Sequence, residues 1–158
     1  MRNVLLREWE IAQSAKEGVG ACLPLVMHPS PVNPKLDEEQ RTALEALLGS
    51  TNTITLFRGG AGTAKSFVLQ ELVEQLRESG WRVVVLALQR QQVEEMEKAE
   101  FSSPSTVASF LRKHELAERA VVVVDEAGQV GGRPMLQLVR LVRERNARSI
   151  LSGDTRQH

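Results

Sequence analysis

The sequence predicts an α/β fold: a doubly wound, mainly parallel sheet with helices on both faces. Three features predict it. Residues 82–88 and 120–124 are almost continuously apolar, as strands buried on both faces must be. Segments of helical length and charge separate the apolar runs, the alternation of a β–α–β chain. A Gly-rich run at 59–62 joins a strand pattern to a helical one, which is where such folds bind ligands.

From the N-terminus, residues 2–16 read as an amphipathic helix with Leu5, Trp9 and Ala12 near one face. Gly18, Gly20, Pro24, Pro29, Pro31 and Pro34 then forbid sustained regular structure, so 17–35 is expected to be a linker or a strap over the surface. Residues 1–35 would thus precede a main domain at 36–158. Asp37 is placed to cap a helix that runs from Glu38 through Leu47 and Leu48 and stops at Gly49. Residues 53–57 are the first strand, and a helix runs from about Lys65 to Glu78, ended by Gly80. After the strand at 82–88, helices are expected at 91–98 and, past Pro104, at 106–113. The valines of 120–124 form the next strand, Pro134 suits the first turn of a helix reaching Arg145, and 148–151 is a last short strand.

Composition narrows the function classes. A length of 158 residues suits one domain and can bury roughly 70% of the surface its unfolded chain exposes. An apolar content of 42% and a charged content of 25% exclude disorder and collagen-like structure. Twenty Lys and Arg balance twenty Asp and Glu, so no overall field attracts nucleic acid or a membrane. The single cysteine, Cys22, excludes an intramolecular disulfide and a cysteine-cluster metal site, and suits a reducing compartment. No signal-like or membrane-spanning apolar run is present, so a soluble, cytoplasmic protein without a membrane partner is expected.

Two motifs carry chemistry. Gly59, Gly60, Ala61, Gly62, Thr63, Ala64, Lys65 and Ser66, followed by Phe67, fit the phosphate-binding loop G-x-x-x-x-G-K-[ST] except at Ala64, where glycine is usual. A Cβ there either crowds the loop or is accommodated at negative φ. Glycines let backbone N–H groups converge on a polyphosphate, and the helix N-terminus adds positive potential. Lys65 would reach the β and γ phosphates, and the Ser66 hydroxyl would ligate Mg²⁺. The bland alternative, a Gly-rich turn with an incidental lysine, is a chance match on the order of one in a hundred at ordinary glycine usage. The second motif is the apolar run 121–124 ending in Asp125 and Glu126. It sets two carboxylates at the C-terminal edge of a buried strand, Asp125 for the metal and Glu126 to orient and deprotonate a water. Alone, such a pair is as often a helix or turn cap. A third strand end, Gly153 to Gln157, is a weaker signal, with Gln157 placed to meet the γ-phosphate or the water.

These residues together resemble the first RecA-like lobe of superfamily 1 DNA helicases of the RecD-like type, a P-loop NTPase fold. Within that group the chain is most similar to the helicase part of MobF-type conjugative relaxases, and the resemblance covers nearly all of it. Leu36-Asp-Glu-Glu-Gln40 is similar to the segment whose Gln reads the adenine edge, so Gln40 takes that role by resemblance. Residues 86–92 stand where the family touches single-stranded DNA, with Leu88-Gln89 in place of the usual Pro-Thr. Asp125-Glu-Ala-Gly128 and Gly153-Asp-Thr-Arg-Gln157 correspond to motifs II and III, with His158 where Leu is commoner.

The resemblance implies ATP and Mg²⁺ as ligands, and single-stranded DNA as a partner of the full-length protein. It also implies that the chain is a fragment lacking a second RecA-like lobe that supplies arginines to the γ-phosphate. The isolated chain is then expected to be at best a feeble ATPase and no helicase. A non-catalytic nucleotide-binding scaffold, or a small P-loop phosphotransferase, is the alternative reading.

Other features carry less. Arg133, Arg140, Arg143, Arg145, Arg148 and Arg156 are expected to form mainly a solvated helix face, with a DNA-facing or lobe-docking surface as the alternative. Glu94, Glu95, Glu97 and Glu100 argue against DNA lying along their helix. Phe57, Phe67 and Phe110 read as core, Phe101 is left open, and His28 and His114 read as surface residues.

Overall fold

The computed structural model describes residues 2–58, 63–99, 101 and 103–153, without the side chains of 2–9, 63 and 64. Helix α1 (Arg2–Glu17) is followed by the strap and by α2 (Glu38–Leu48). Then β1 (Ile54–Phe57), α3 (Thr63–Glu78), β2 (Arg82–Ala87), α4 (Arg90–Lys98), β3 (Ser105–Thr106) and α5 (Val107–Lys113) alternate. The chain continues through β4 (Ala120–Val124), a 3₁₀ turn (Ala127–Gln129), α6 (Gly132–Glu144) and β5 (Arg148–Ser152).

All pairings are parallel, in the order β1-β5-β4-β2-β3. The strand that comes last in the chain therefore lies between β1 and β4, and every strand ends at the same edge. Burial alternates with period two along β4: Val121 and Val123 face the layer of α2, α3 and α4, while Ala120, Val122 and Val124 face α5 and α6. Such two-sided burial is why these strands read as unbroken apolar runs.

Local signals explain the ends of the elements. Asp37 Oδ1 accepts from Gln40 N at 2.8 Å, and Gln40 Oε1 accepts from Asp37 N at 2.9 Å, a reciprocal cap at the start of α2. Gly80 takes φ +92°, a left-handed conformation that ends α3 at little cost in glycine. The strap is tied down by Cys22 N donating to Thr51 O and Val26 N to Leu48 O, and it buries Leu25 and Val26.

Three expectations change. Ser105 and Thr106 pair with Leu86 and Ala87 as a short edge strand, and Thr106 then caps α5 through its hydroxyl. Two residues are too few to show as an apolar pattern. On α1 the inward face is Ile11, Ser14 and Ala15, and Ala12 is exposed; the side chains of Leu5 and Trp9 lie outside the described residues. Serine is acceptable there because Ser14 Oγ accepts from Arg143 at 3.0 Å.

The arginine-rich segment is a solvated face at Arg133, Arg140, Arg143 and Arg145, which are exposed, but not at Arg148. Arg140 grips Glu10 through two hydrogen bonds, and Arg143 meets Glu17 at 3.2 Å, joining α6 to α1. Arg148 is buried at 4% exposure. Phe57, Phe101 and Phe110 are buried, Phe67 is half-buried against the core, and His28 and His114 are exposed.

Candidate functional site

The demand for apolar side chains ends where β4 leaves the core, so Asp125 and Glu126 emerge at its C-terminal edge, both half-buried. Continuing the alternation of β4 past Val124 turns Asp125 toward the α3 layer. Lys65, in the first turn of α3, meets it there: Nζ lies 2.9 Å from Asp125 Oδ1 and 3.1 Å from Glu126 Oε1. Burial pulls the Lys65 pKa down, yet hydrogen bonds and charge from Asp125, then Glu126, outweigh it and raise the ammonium above its usual 10.5. It is a fixed positive charge at neutral pH.

The backbone around the carboxylates is unusual. Asp125 N donates to Leu86 O at 2.9 Å, extending the β4–β2 ladder by one residue. Glu126 then adopts φ 54°, ψ 42°, and its N–H donates to Asp125 Oδ1 at 3.0 Å. A left-handed glutamate costs roughly 1–3 kcal/mol, and such residues cluster at functional sites. The following 3₁₀ turn passes over the end of β5, where a Cβ on Gly153 would stand 3.4 Å from Gly128 N.

Of the other residues expected at the site, Thr63 and Ala64 open α3. The helical backbone at Ala64 has negative φ, so on the backbone alanine is accommodated there. Ser66 is exposed and lines a cavity of about 170 Å³ with Asp125, Glu126, Gln92, Met96 and Phe101. A hydroxyl and a carboxylate facing one cavity suit Mg²⁺, which takes few protein oxygens and completes its shell with phosphates and water. Among the described residues there is no cluster of three or more His, Cys, Asp or Glu that could hold a metal ion. Gln40 is half-buried and its amide oxygen serves the cap of α2, a role the capping spacing from Asp37 already signals. In the segment set against single-stranded DNA, Gln89 is exposed and its N–H donates to Gln92 Oε1 at the start of α4. Gly59, Gly60, Ala61, Gly62 and Gln157 lie outside the described residues.

Arg148 is the residue the sequence reading misjudged most. Its guanidinium donates to Leu23 O at 2.6 Å, Ser50 O at 2.6 Å and Asn52 O at 2.9 Å, fastening the strap to the loop before β1. The available signal was an arginine at the head of an otherwise small and apolar strand.

Residues 35–158 match the model of the family described as AAA domain. The chain is 32% identical to a probable conjugal transfer protein TraA of Sinorhizobium fredii, over 78% of this chain and 12% of that protein. It is 30% identical to the multifunctional conjugation protein TraI of Escherichia coli, over 95% of this chain and 9% of that one. A conjugal transfer protein TraA of Agrobacterium fabrum is 32% identical, again over 78% and 12%. The chain thus spans about a tenth of the length of these relatives. Among the described residues no helix is long and apolar enough to cross a membrane.

Proposed function

The chain belongs to the AAA domain family of nucleotide-binding folds, and from that premise we propose that it is the ATP-binding motor lobe of a conjugative DNA helicase. In the whole protein, ATP hydrolysis would be coupled to movement along single-stranded DNA. The observation that carries this reading is Lys65 held by Asp125 and Glu126 at the C-terminal edge of a parallel sheet, with Ser66 beside them. In this reading Lys65 leaves the carboxylates for the β and γ phosphates when nucleotide enters. Ser66 and Asp125 would hold Mg²⁺, which supplies charge neutralisation at the phosphates. Glu126, released from Lys65, orients a water and accepts its proton. Gly59 to Gly62 would wrap the phosphates, Gln40 read the base, and Gln157 meet the γ-phosphate. Likeness to conjugal transfer proteins supports the reading of DNA as the partner, and a second lobe would complete the cleft.

Two measurements test the reading. Titration calorimetry with ATP and Mg²⁺ on this chain and on Lys65→Ala should show clear binding that the variant loses; equal affinity overturns the site. A steady-state ATPase assay of the full-length protein should rise when single-stranded DNA is added. Nucleotide binding without DNA-stimulated turnover would favour a scaffold instead.

A further inference from the structure

At the opposite edge of the sheet from Lys65 lies a cavity of about 750 Å³, unconnected with the nucleotide reading. Its floor is formed where strands begin: Thr53 precedes β1, Trp81 precedes β2, Arg119 precedes β4, and Arg148 opens β5. Strands of four to six residues separate the two edges, roughly 15–20 Å at the rise of an extended chain. Its size falls in the range of small-molecule sites, which run from about 300 to 1,000 Å³.

Its lining is mixed. Leu23, Pro24, Met27 and Trp81 are apolar, and Leu23 and Met27 are 75% and 62% exposed. The same lining carries Arg119, Arg143 and Arg148 against one acid, Glu17, which already pairs with Arg143. Arg148 is the telling group. It is 4% exposed and forms no ion pair among the described residues; its hydrogen bonds go to carbonyl oxygens, with Cys22 close enough to act on its charge. Buried charges are ordinarily balanced by a counter-charge, and burial holds the Arg148 guanidinium below its usual pKa. Arg119, which also forms no ion pair among the described residues, adds a second cation to the lining, on a left-handed backbone at φ 60°.

We propose that this cavity is a binding site for a small amphipathic anion, an aromatic or aliphatic body bearing one carboxylate or sulfonate. The body lies against Trp81, Leu23 and Met27, and the anionic head faces Arg119 and the buried Arg148.

The probe is 1-anilinonaphthalene-8-sulfonate, added to the whole 158-residue chain. Trp9→Phe leaves Trp81 as the sole tryptophan, and Cys22, the single cysteine, lines the same cavity. One equivalent of probe should quench Trp81 and slow maleimide labelling of Cys22. Arg119→Glu should weaken binding about tenfold, as should removing the sulfonate from the probe, the scale of one lost charge-assisted hydrogen bond. Arg119→Gly, which suits the left-handed backbone and keeps the fold, should weaken it in the same direction. Unchanged Cys22 labelling, or equal binding of the charged and neutral probes, overturns the proposal.

Discussion

Lys65 Nζ and Asp125 Oδ1 stand 2.9 Å apart although they come from α3 and from the end of β4, with β5 lying between β4 and β1. The pair makes stability depend on alkaline pH. Asp125 and Glu126 raise the folded-state pKa of Lys65 above 10.5. The stabilisation is therefore complete below 10.5 and is lost as pH climbs through the raised value. Urea unfolding at pH 9 and at pH 11.5 should show a decline that Lys65→Met reduces. The chain has no tyrosine to titrate in that window.

Glu126→Gln in the full-length protein should keep nucleotide affinity and lose turnover by about 10²–10⁴, the usual weight of a general base. Binding by calorimetry and steady-state hydrolysis separate the two. Normal turnover would assign proton transfer to another group.

The left-handed backbone at Glu126 gives a test that does not depend on chemistry. Glu126→Gly and Glu126→Ala both delete the carboxylate, but only glycine relaxes the backbone. Glycine should leave the protein more stable than alanine by about 1 kcal/mol in urea unfolding. Equal stabilities would mean that the conformation is not left-handed in solution.

Arg148→Met should destabilise the fold by about 2–4 kcal/mol, since three inward carbonyls lose their donors at once. Arg148→Lys should recover little, because one ammonium cannot reach all three in the fork geometry of a guanidinium. Denaturant midpoints of the three proteins decide it.

Much of this architecture is legible in the sequence because its causes are local. Four valines followed by two acids mark a buried strand and the edge where it surfaces. Asp37 and Gln40 mark a helix start through spacing alone. Arg148 was misjudged because its partners are far away in sequence, Leu23 lying 125 residues earlier. The ion pairs that the exposed Arg140 and Arg143 make with Glu10 and Glu17, 130 and 126 residues earlier, are hidden for the same reason. An arginine that satisfies carbonyls or pins another helix looks the same in sequence as one that faces water. Strand order is hidden for a similar reason, since nothing in residues 148–152 names β1 and β4 as neighbours.

That order has a consequence for how the protein is made. As the chain leaves the ribosome, β1 emerges first and β2, β3 and β4 follow as a three-stranded block with no hydrogen bond to it. Only β5, whose last residue is Ser152, bonds to both. Until then the nascent chain holds two unjoined pieces with open parallel edges, a state prone to mispairing while non-local contacts wait on loop closure. Helix α3, which carries Lys65, packs on the β2–β4 side of the sheet that ends in Asp125, so the charged pair needs only elements made before β5, while the sheet itself waits for β5.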